Sequence, residues 1–296
     1  MNNQQNLYDS PRRVPGQASV AHSPDSEDAK NGENDFAFAL TAKVLSNGDE
    51  KNATLEAFKK VDSNVKLFGA AGDSSIIEAK KWTTYPGFFA KGGLDIMTSF
   101  LLDSVFEEDV KSSSTSVRLK KSVCGDKTKR VMDFCCGSGV IGYALLSALG
   151  DGKKSDKKKV KLTVLDADAV SLEAAKENLS LINENAVDYL LSDGFPTKPF
   201  KKPCELIFTN PPVHYQSKPD FRVLGKMLLH LPNVLKKRKK GTCFCVCQRY
   251  VPLESVAKYF IDGDSRENGK GNRTHLDVEI HAKNDRFVVW KISLPS

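Results

Sequence analysis

The sequence predicts an α/β protein: a seven-stranded, mostly parallel sheet with helices on both faces and a C-terminal antiparallel hairpin. Three observations lead there. From Trp82 onward, strand-like apolar runs alternate with helix-like stretches. Five such strand–helix units are followed by two strands with no helix between them. A polar residue closes each of four successive strands, which is where ligands bind in open parallel sheets.

Leu94–Phe106 has a helical pattern, and Ser112–Lys129 reads as an inserted polar loop. The strand Arg130–Phe134 leads into the helix Val140–Leu149. A lysine loop, Lys153–Lys159, precedes the strand Val160–Leu165 and the helix Ala169–Ile182. Val187–Leu191 and Leu206–Thr209 are strands. The helix Phe221–Leu235 contains Pro232, which lacks an N–H and is expected to break its last turn. The strand Thr242–Cys247 and the helix Leu253–Phe260 follow. Asp262–Asn272, rich in glycine, asparagine and charge, reads as a hairpin loop or insertion before the final strands Leu276–His281 and Arg286–Ile292.

Ahead of this series, residues 1–34 have the polar, Asn/Gln/Ser/Pro-rich composition of a disordered tail. Residues 35–81 carry Phe36–Val44, an amphipathic Thr54–Lys60 and Val65-Lys66-Leu67-Phe68, too little apolar surface for an independent domain. They are expected to form a small segment appended to one domain at 82–296. With 296 residues, 40% of them hydrophobic, the chain can bury one large core. No apolar stretch approaches the roughly 18–20 residues that span a bilayer, so no membrane partner is expected. The N-terminus lacks a basic-then-apolar leader pattern. Seven cysteines, an odd number with several in strands, point to a reducing compartment. The cytoplasm is expected; Arg12 and Arg13 in an acid-poor start keep a mitochondrion or other organelle as the alternative. Cys243-x-Cys245-x-Cys247 puts three thiols on one strand face with no fourth ligand nearby, so it reads as packed core and no metal is expected. The net charge of +7 gathers at Lys153–Lys159, Lys201-Lys202 and Lys236–Lys240, as solvated loops or as a phosphate-binding surface.

The most informative run is Thr209-Asn210-Pro211-Pro212-Val213-His214, directly after the apolar Leu206-Ile207-Phe208. Two prolines remove two backbone donors, fix φ near −65°, and hold their predecessors extended. The resulting stiff loop presents acceptors, the Asn210 amide oxygen and the Pro211 carbonyl. Acceptors on a donor-free corner suit the grip of a planar –NH2 group, on a nucleobase or an amide. Three more strand ends carry polar residues. The first closes as Asp133-Phe134-Cys135-Cys136-Gly137-Ser138-Gly139, where glycines admit a ligand to the backbone and a helix N-terminus follows. The second closes at Asp166-Ala167, placed to bind a ribose diol. The third closes at Ser192-Asp193-Gly194, where a carboxylate can accept from an adenine amine. Gly142, three residues after Gly139, keeps a dinucleotide open, although the Asn-Pro-Pro loop has no role in hydride transfer.

Taken together, these stretches resemble the class I S-adenosylmethionine-dependent methyltransferases, and among them the methyltransferase small-domain group of rRNA guanine-N2 methyltransferases. Tyr85-Pro86-Gly87-Phe88-Phe89-Ala90-Lys91-Gly92-Gly93-Leu94-Asp95 resembles the segment that introduces that domain. Asp133 to Gly139 resembles its cofactor loop, Asn210–His214 its Asn-Pro-Pro-Phe-His loop, and Asp285–Trp290 its last strand. Val213 stands where that group usually carries an aromatic stacked on the base, and Cys135 where it usually carries glycine. The lost stacking is worth roughly 1–3 kcal/mol.

The resemblance implies a Rossmann-like sheet and S-adenosyl-L-methionine held by Asp133, Cys135, Gly137, Gly139, Asp166, Ala167, Asp193 and Asn210. It implies an acceptor site at Asn210, Pro211, Pro212, Val213 and His214, and RNA, as rRNA or a ribosomal particle, as partner. Asn210 and the Pro211 carbonyl would accept the two protons of a guanine amine and turn its lone pair toward the methyl group. His214 is expected to order the loop by a hydrogen bond rather than to act as general base. The alternatives are adenine N6, a protein glutamine amide, or a catalytically silent RNA-binding assembly factor of the same fold.

Overall fold

Residues 58–68, 77–111, 114–123, 130–150, 160–183, 186–215, 218–237, 241–267 and 275–295 are described by the computed structural model. The tail 1–34, residues 35–57, Cys124, the lysine loop 153–159 and residues 238–240 lie outside them. The described chain opens on an antiparallel pair, β1 (Lys60–Phe68) and β2 (Ile77–Thr84). A tight turn at Phe89–Gly92 leads to α1 (Ile96–Val105) and a second antiparallel pair, β3 (Phe106–Lys111) and β4 (Ser114–Leu119). Then come β5 (Arg130–Phe134), α2 (Val140–Gly150), β6 (Lys161–Asp166), α3 (Ala169–Asn183), β7 (Val187–Leu191) and β8 (Leu206–Thr209). A two-residue ribbon, β9 (His214–Tyr215) with β10 (Lys218–Pro219), precedes α4 (Arg222–Val234), β11 (Thr242–Gln248), α5 (Leu253–Glu267), β12 (Asp277–Lys283) and β13 (Phe287–Ser293).

Seven of these strands form one sheet in the order β12-β13-β11-β8-β5-β6-β7. The five from β11 to β7 are parallel, while β13 runs antiparallel to both β11 and β12. This is the Rossmann-like sheet with a terminal hairpin that the pattern predicts. The chain works outward from β5 to β7, then returns to the other side of β5 as β8. The order therefore reverses between β5 and β8, and a crevice opens beyond their carboxyl ends.

The sheet is buried on both faces, which is why its central strands read as continuous apolar runs. Val131, Leu162, Val164, Phe208, Phe244 and Val246 pack on one side beneath α1, α2, α3 and the β1–β2 pair. Met132, Phe134, Leu165, Ile207, Cys243, Cys245 and Cys247 pack on the other against α4 and α5. The three cysteines of β11 thus share one buried face, as the period of two requires. Leu67, Ile77, Ala79 and Trp82 belong to the first of these clusters, and β2 crosses the boundary expected after residue 81.

Four expectations change. Ser112–Lys129 was expected as a polar loop, yet Ser114–Leu119 pairs with β3. Its pairing sets Leu119 opposite Phe106 in the core and adds an Arg118–Glu107 ion pair of 3.0 Å, too few apolar residues in a serine-rich run to leave a clear apolar pattern. The strand–helix series also lacks one helix, because β7 passes to β8 through residues 192–205, which hold Pro196, Pro199 and Pro203. Pro232 does not end α4: Leu235 N–H still donates to Leu231 O at 3.0 Å. The next carbonyls, Asn233 O and Val234 O, accept from Phe200 N and Cys204 N at 2.7 and 2.8 Å, so the incoming chain satisfies that helix end. Finally, α5 runs on to Glu267, into the segment expected as a loop. Among the described residues, no helix is long and apolar enough to cross a membrane.

Candidate active site

Register brings the strand ends to one level. Phe134 pairs with both Leu165 and Thr209. The residues that follow them, Cys135, Asp166 and Asn210, therefore start the crevice side by side. Gly137 and Gly139 turn the chain away from β5 at φ of +53° and +90°. At Gly139 an added Cβ would lie 3.3 Å from the Ala175 backbone on α3, so only glycine lets helix and loop approach. At Gly137 nothing lies within 4 Å of such a Cβ, which leaves open space beside a backbone whose N–H is held by Asp166.

Cys135, where a third glycine would suit, also takes a left-handed φ of +57°, a conformation that costs an L-residue about 1–2 kcal/mol. Burial, then the carboxylates of Asp166, Asp133 and Asp193, pushes its thiol well up, so it stays protonated and is a poor nucleophile.

The two strand-end acids are turned into the protein. Asp133 is fully buried: its Oδ2 accepts from Gly142 N at 2.8 Å, while Oδ1 has no partner. Burial raises its pKa to about 8, partly opposed by that hydrogen bond. Asp166 accepts from Gly137 N and Asp168 N at 2.8 and 2.9 Å, through one oxygen each. Burial lifts it to about 6 despite these two bonds. Ala167 lies between them on the rim. Asp193 behaves differently; it is exposed and reaches Lys226 at 3.5 Å. Neither buried carboxylate has a lysine or arginine among the groups that shift it. The cradle is thus short of positive charge, and its unpartnered Asp133 oxygen and the open space beside Gly137 fit a cationic ligand with hydrogen-bond donors.

The other half of the crevice is the Asn-Pro-Pro loop. Asn210 Nδ2 donates to Asp95 Oδ2 at 3.1 Å and to Thr98 Oγ at 3.0 Å. Asp95 is the N-cap of α1, accepting from Met97 N and Thr98 N at 2.8 and 3.2 Å. A carboxylate can only accept, so the Asn210 nitrogen must face it. That assignment turns the amide oxygen the other way. Pro211 is buried and Pro212 half-buried. Val213 is 3% exposed and sits in the apolar layer with the β11 cysteines; Asp220 N–H donates to its carbonyl at 2.8 Å. His214 Nε2 is hydrogen-bonded to the hydroxyl of Tyr250, which follows β11.

Sequence patterns did not reveal Asp95 and Thr98 as partners of Asn210. Asp95 reads locally as a helix cap, and nothing local marks a bond across 115 positions. Tyr250 was also missed, being a lone aromatic after a strand. A third unrecognised junction ties the turn at Phe89–Gly92 to the cofactor loop. Gly92 O accepts from both Trp82 Nε1 and Ser138 Oγ at 2.6 Å. Asn178 on α3 bridges Thr83 O and Ser138 O at 3.0 and 2.9 Å.

The lysine-rich candidates fall elsewhere. Lys201 and Lys202 precede β8 and Lys236 precedes β11, so all lie toward the amino ends of strands, opposite the crevice. Lys236 also pairs with Glu205 at 2.7 Å. At the carboxyl ends the exposed cations include Lys218, on β10, and Arg249, just after β11.

Comparison with known proteins places this geometry in context. Residues 80–270 match the family model described as "Methyltransferase small domain". Among curated proteins, a "Ribosomal RNA small subunit methyltransferase C" of Hamiltonella defensa is 26% identical over 71% of this chain and 49% of its own length. A protein of the same description from Actinobacillus pleuropneumoniae is 32% identical over 43% of this chain and 36% of its own length. This chain spans about half the length of the first of these relatives. Among solved structures, the T. thermophilus 16S rRNA N2 G1207 methyltransferase (RsmC) in complex with AdoMet and guanosine superposes with a TM-score of 0.50 at 16% identity. That match covers 80% of this chain and 51% of the other, and it shows a shared fold.

Proposed function

Since the chain belongs to the methyltransferase small-domain family, we propose that it is an S-adenosylmethionine-dependent methyltransferase acting on the exocyclic N2 amine of a guanine in ribosomal RNA. The observation that carries the acceptor reading is the pinned amide of Asn210. Its nitrogen is occupied by Asp95 and Thr98, so its oxygen is committed to accepting.

When bound, S-adenosylmethionine supplies an electrophilic methyl group on a sulfonium centre. The chain's own part is to hold and orient. The backbone at Cys135, Gly137 and Gly139, with Asp133, Asp166, Ala167 and Asp193, lines the cofactor side. Asp133 Oδ1 offers an acceptor to a cationic donor, and the unfilled lone pairs of Asp166 remain for a ribose diol. On the other side, Asn210 Oδ1 and the Pro211 carbonyl accept the two amine protons of the base. This turns the nitrogen lone pair, otherwise delocalised into the ring, toward the methyl group. Pro212 and the buried Val213 stiffen the corner, and His214 is held by Tyr250 rather than poised as a base. The rate gain comes from positioning, and the base must leave its stack to enter. Lys218 and Arg249 flank the crevice as phosphate contacts. The free cysteines at 135, 136, 204, 243, 245 and 247 fit a reducing compartment such as the cytoplasm.

The test is transfer of a tritiated methyl group from S-adenosylmethionine to small ribosomal subunits, followed by mass spectrometry of their nucleosides and of their peptides. N2-methylguanosine is expected. N6-methyladenosine or methylated glutamine would move the acceptor, and no incorporation at any enzyme concentration would leave an RNA-binding assembly factor.

A further inference from the structure

The residue after the two prolines offers no aromatic to back a base: it is Val213, buried to 3% exposure and fixed through its carbonyl by Asp220 N–H. It offers no face to a ligand. Tyr215 is half-buried and lies within electrostatic reach of Arg222, on the α4 side of the ribbon. Among the described residues, a further aromatic, Tyr250, is hydrogen-bonded to the loop. Tyr250 leaves the carboxyl end of β11, the strand paired directly with β8, where Cys245 matches Thr209. The residue is 53% exposed, far more than a core aromatic, yet it is tethered by its hydroxyl to His214 Nε2. The two rings meet edge to face, with centroids 5.8 Å apart and planes at 60°. Val251 N–H donates to Gln248 O at 3.0 Å, so the turn that carries Tyr250 is also fixed.

An exposed aromatic ring held at one end before any ligand arrives is preorganised for stacking. We infer that Tyr250, tethered to His214, is the platform on which the acceptor base stacks while Asn210 and Pro211 hold its amine. This rests on the acceptor reading above and adds to it a residue outside the Asn-Pro-Pro loop. The two aromatics form a corner, with one flat face for the base and one edge to limit its tilt. The tether explains the pairing of His214 with a strand-end tyrosine: it fixes the platform relative to the amine-gripping corner.

The test titrates guanosine, and adenosine in parallel, into the full chain saturated with S-adenosylhomocysteine, by calorimetry and by NMR of the tyrosine ring protons. In the wild type, guanosine should shift the Tyr250 ring signals upfield. Tyr250→Ala and Tyr250→Leu should weaken guanosine on the order of tenfold or more, whereas Tyr250→Phe and Tyr250→Trp, which keep a ring to stack on but lose the hydroxyl tether, should weaken it by only about threefold. Adenosylhomocysteine affinity and melting temperature should hold in all four, which separates a lost platform from a lost fold. Undiminished guanosine binding by Tyr250→Ala overturns the platform and leaves the acceptor reading intact. If adenosine binds instead of guanosine and Tyr250→Ala loses it, the platform stands and the guanine assignment falls. A wild type that binds neither nucleoside overturns both.

Discussion

The two halves of the crevice hold their polar groups by opposite means. On the β5–β7 side, buried carboxylates are tied by backbone N–H groups of the strand-end loops, at most 29 positions away: Asp133 by Gly142, Asp166 by Gly137 and Asp168. On the β8–β11 side, a proline-stiffened loop depends on side chains far away, Asp95 and Thr98, to aim one amide. The first half is acid-rich and short of cations, which suits a positively charged cofactor. The second is neutral and rich in acceptors, which suits an amine. In the proposed reaction, joining them across β5 and β8 would set an electrophile beside a nucleophile.

If that division is real, damage to one half should spare the other. Asn210→Ala should cut methyl transfer at least about 100-fold, while affinity for S-adenosylhomocysteine, by calorimetry, changes less than about threefold. Lost cofactor affinity would show that the halves are not separable. Asp95→Ala comes next. It releases the amide and removes two cap bonds of α1, so turnover should fall about tenfold and stability by about 1 kcal/mol. Thr98→Val should lower turnover with little change in melting temperature, and unchanged kcat in both variants would mean that something else orients Asn210.

The cofactor half has its own signature in pH. The Asp133 carboxyl sits at about 8 in the folded protein, against an ordinary 3.8, chiefly through burial. The folded state therefore holds a proton that the unfolded chain releases. The stabilising contribution is full below about 3.8 and drains away as pH climbs toward 8. Thermal melts should show the wild type losing several degrees between the two, and Asp133→Asn losing less. A parallel fall in both would place the pH dependence elsewhere. The smallest effect belongs to Cys135→Gly. It relieves a left-handed residue at φ +57° but adds backbone freedom to the unfolded chain, for a net gain of about 1 kcal/mol or less. The melting temperature should rise slightly with cofactor affinity unchanged.

The same contrast explains what the sequence reveals. Strands such as Arg130–Phe134 and Leu206–Thr209 form at their predicted bounds, because their burial is written as mostly apolar runs; Val187–Leu191 does so as a sheet edge with only Val187 buried. Asp133 and Gly137 at the end of β5, Asp166 at the end of β6 and Asn210 after β8 are found together because they mark three strand ends, and register does the rest. What escaped is what register does not encode. The pairing of β4 with β3 sets one apolar pair in the core and adds an ion pair. The helix after β7 is missing because three prolines replace it, and Pro232 is tolerated because neighbouring chain takes up the carbonyls of α4. The Asp95–Asn210 bond joins a helix cap to a strand end 115 positions later. Lys201, Lys202 and Lys236 stand away from the crevice for a directional reason: residues that precede a strand emerge at the far edge from those that follow it.

One oxygen, that of Gly92, gathers Trp82 from β2 and Ser138 from the cofactor loop. Homology and foldability therefore have different limits. The stretch shared with the family, 80–270, cuts β2 in two and stops short of β12 and β13. A fragment trimmed to those limits would strip the indole's neighbours from the core and bare the flank of β11 as an open edge. Anyone shortening this chain should begin ahead of Lys60 and keep the final strand.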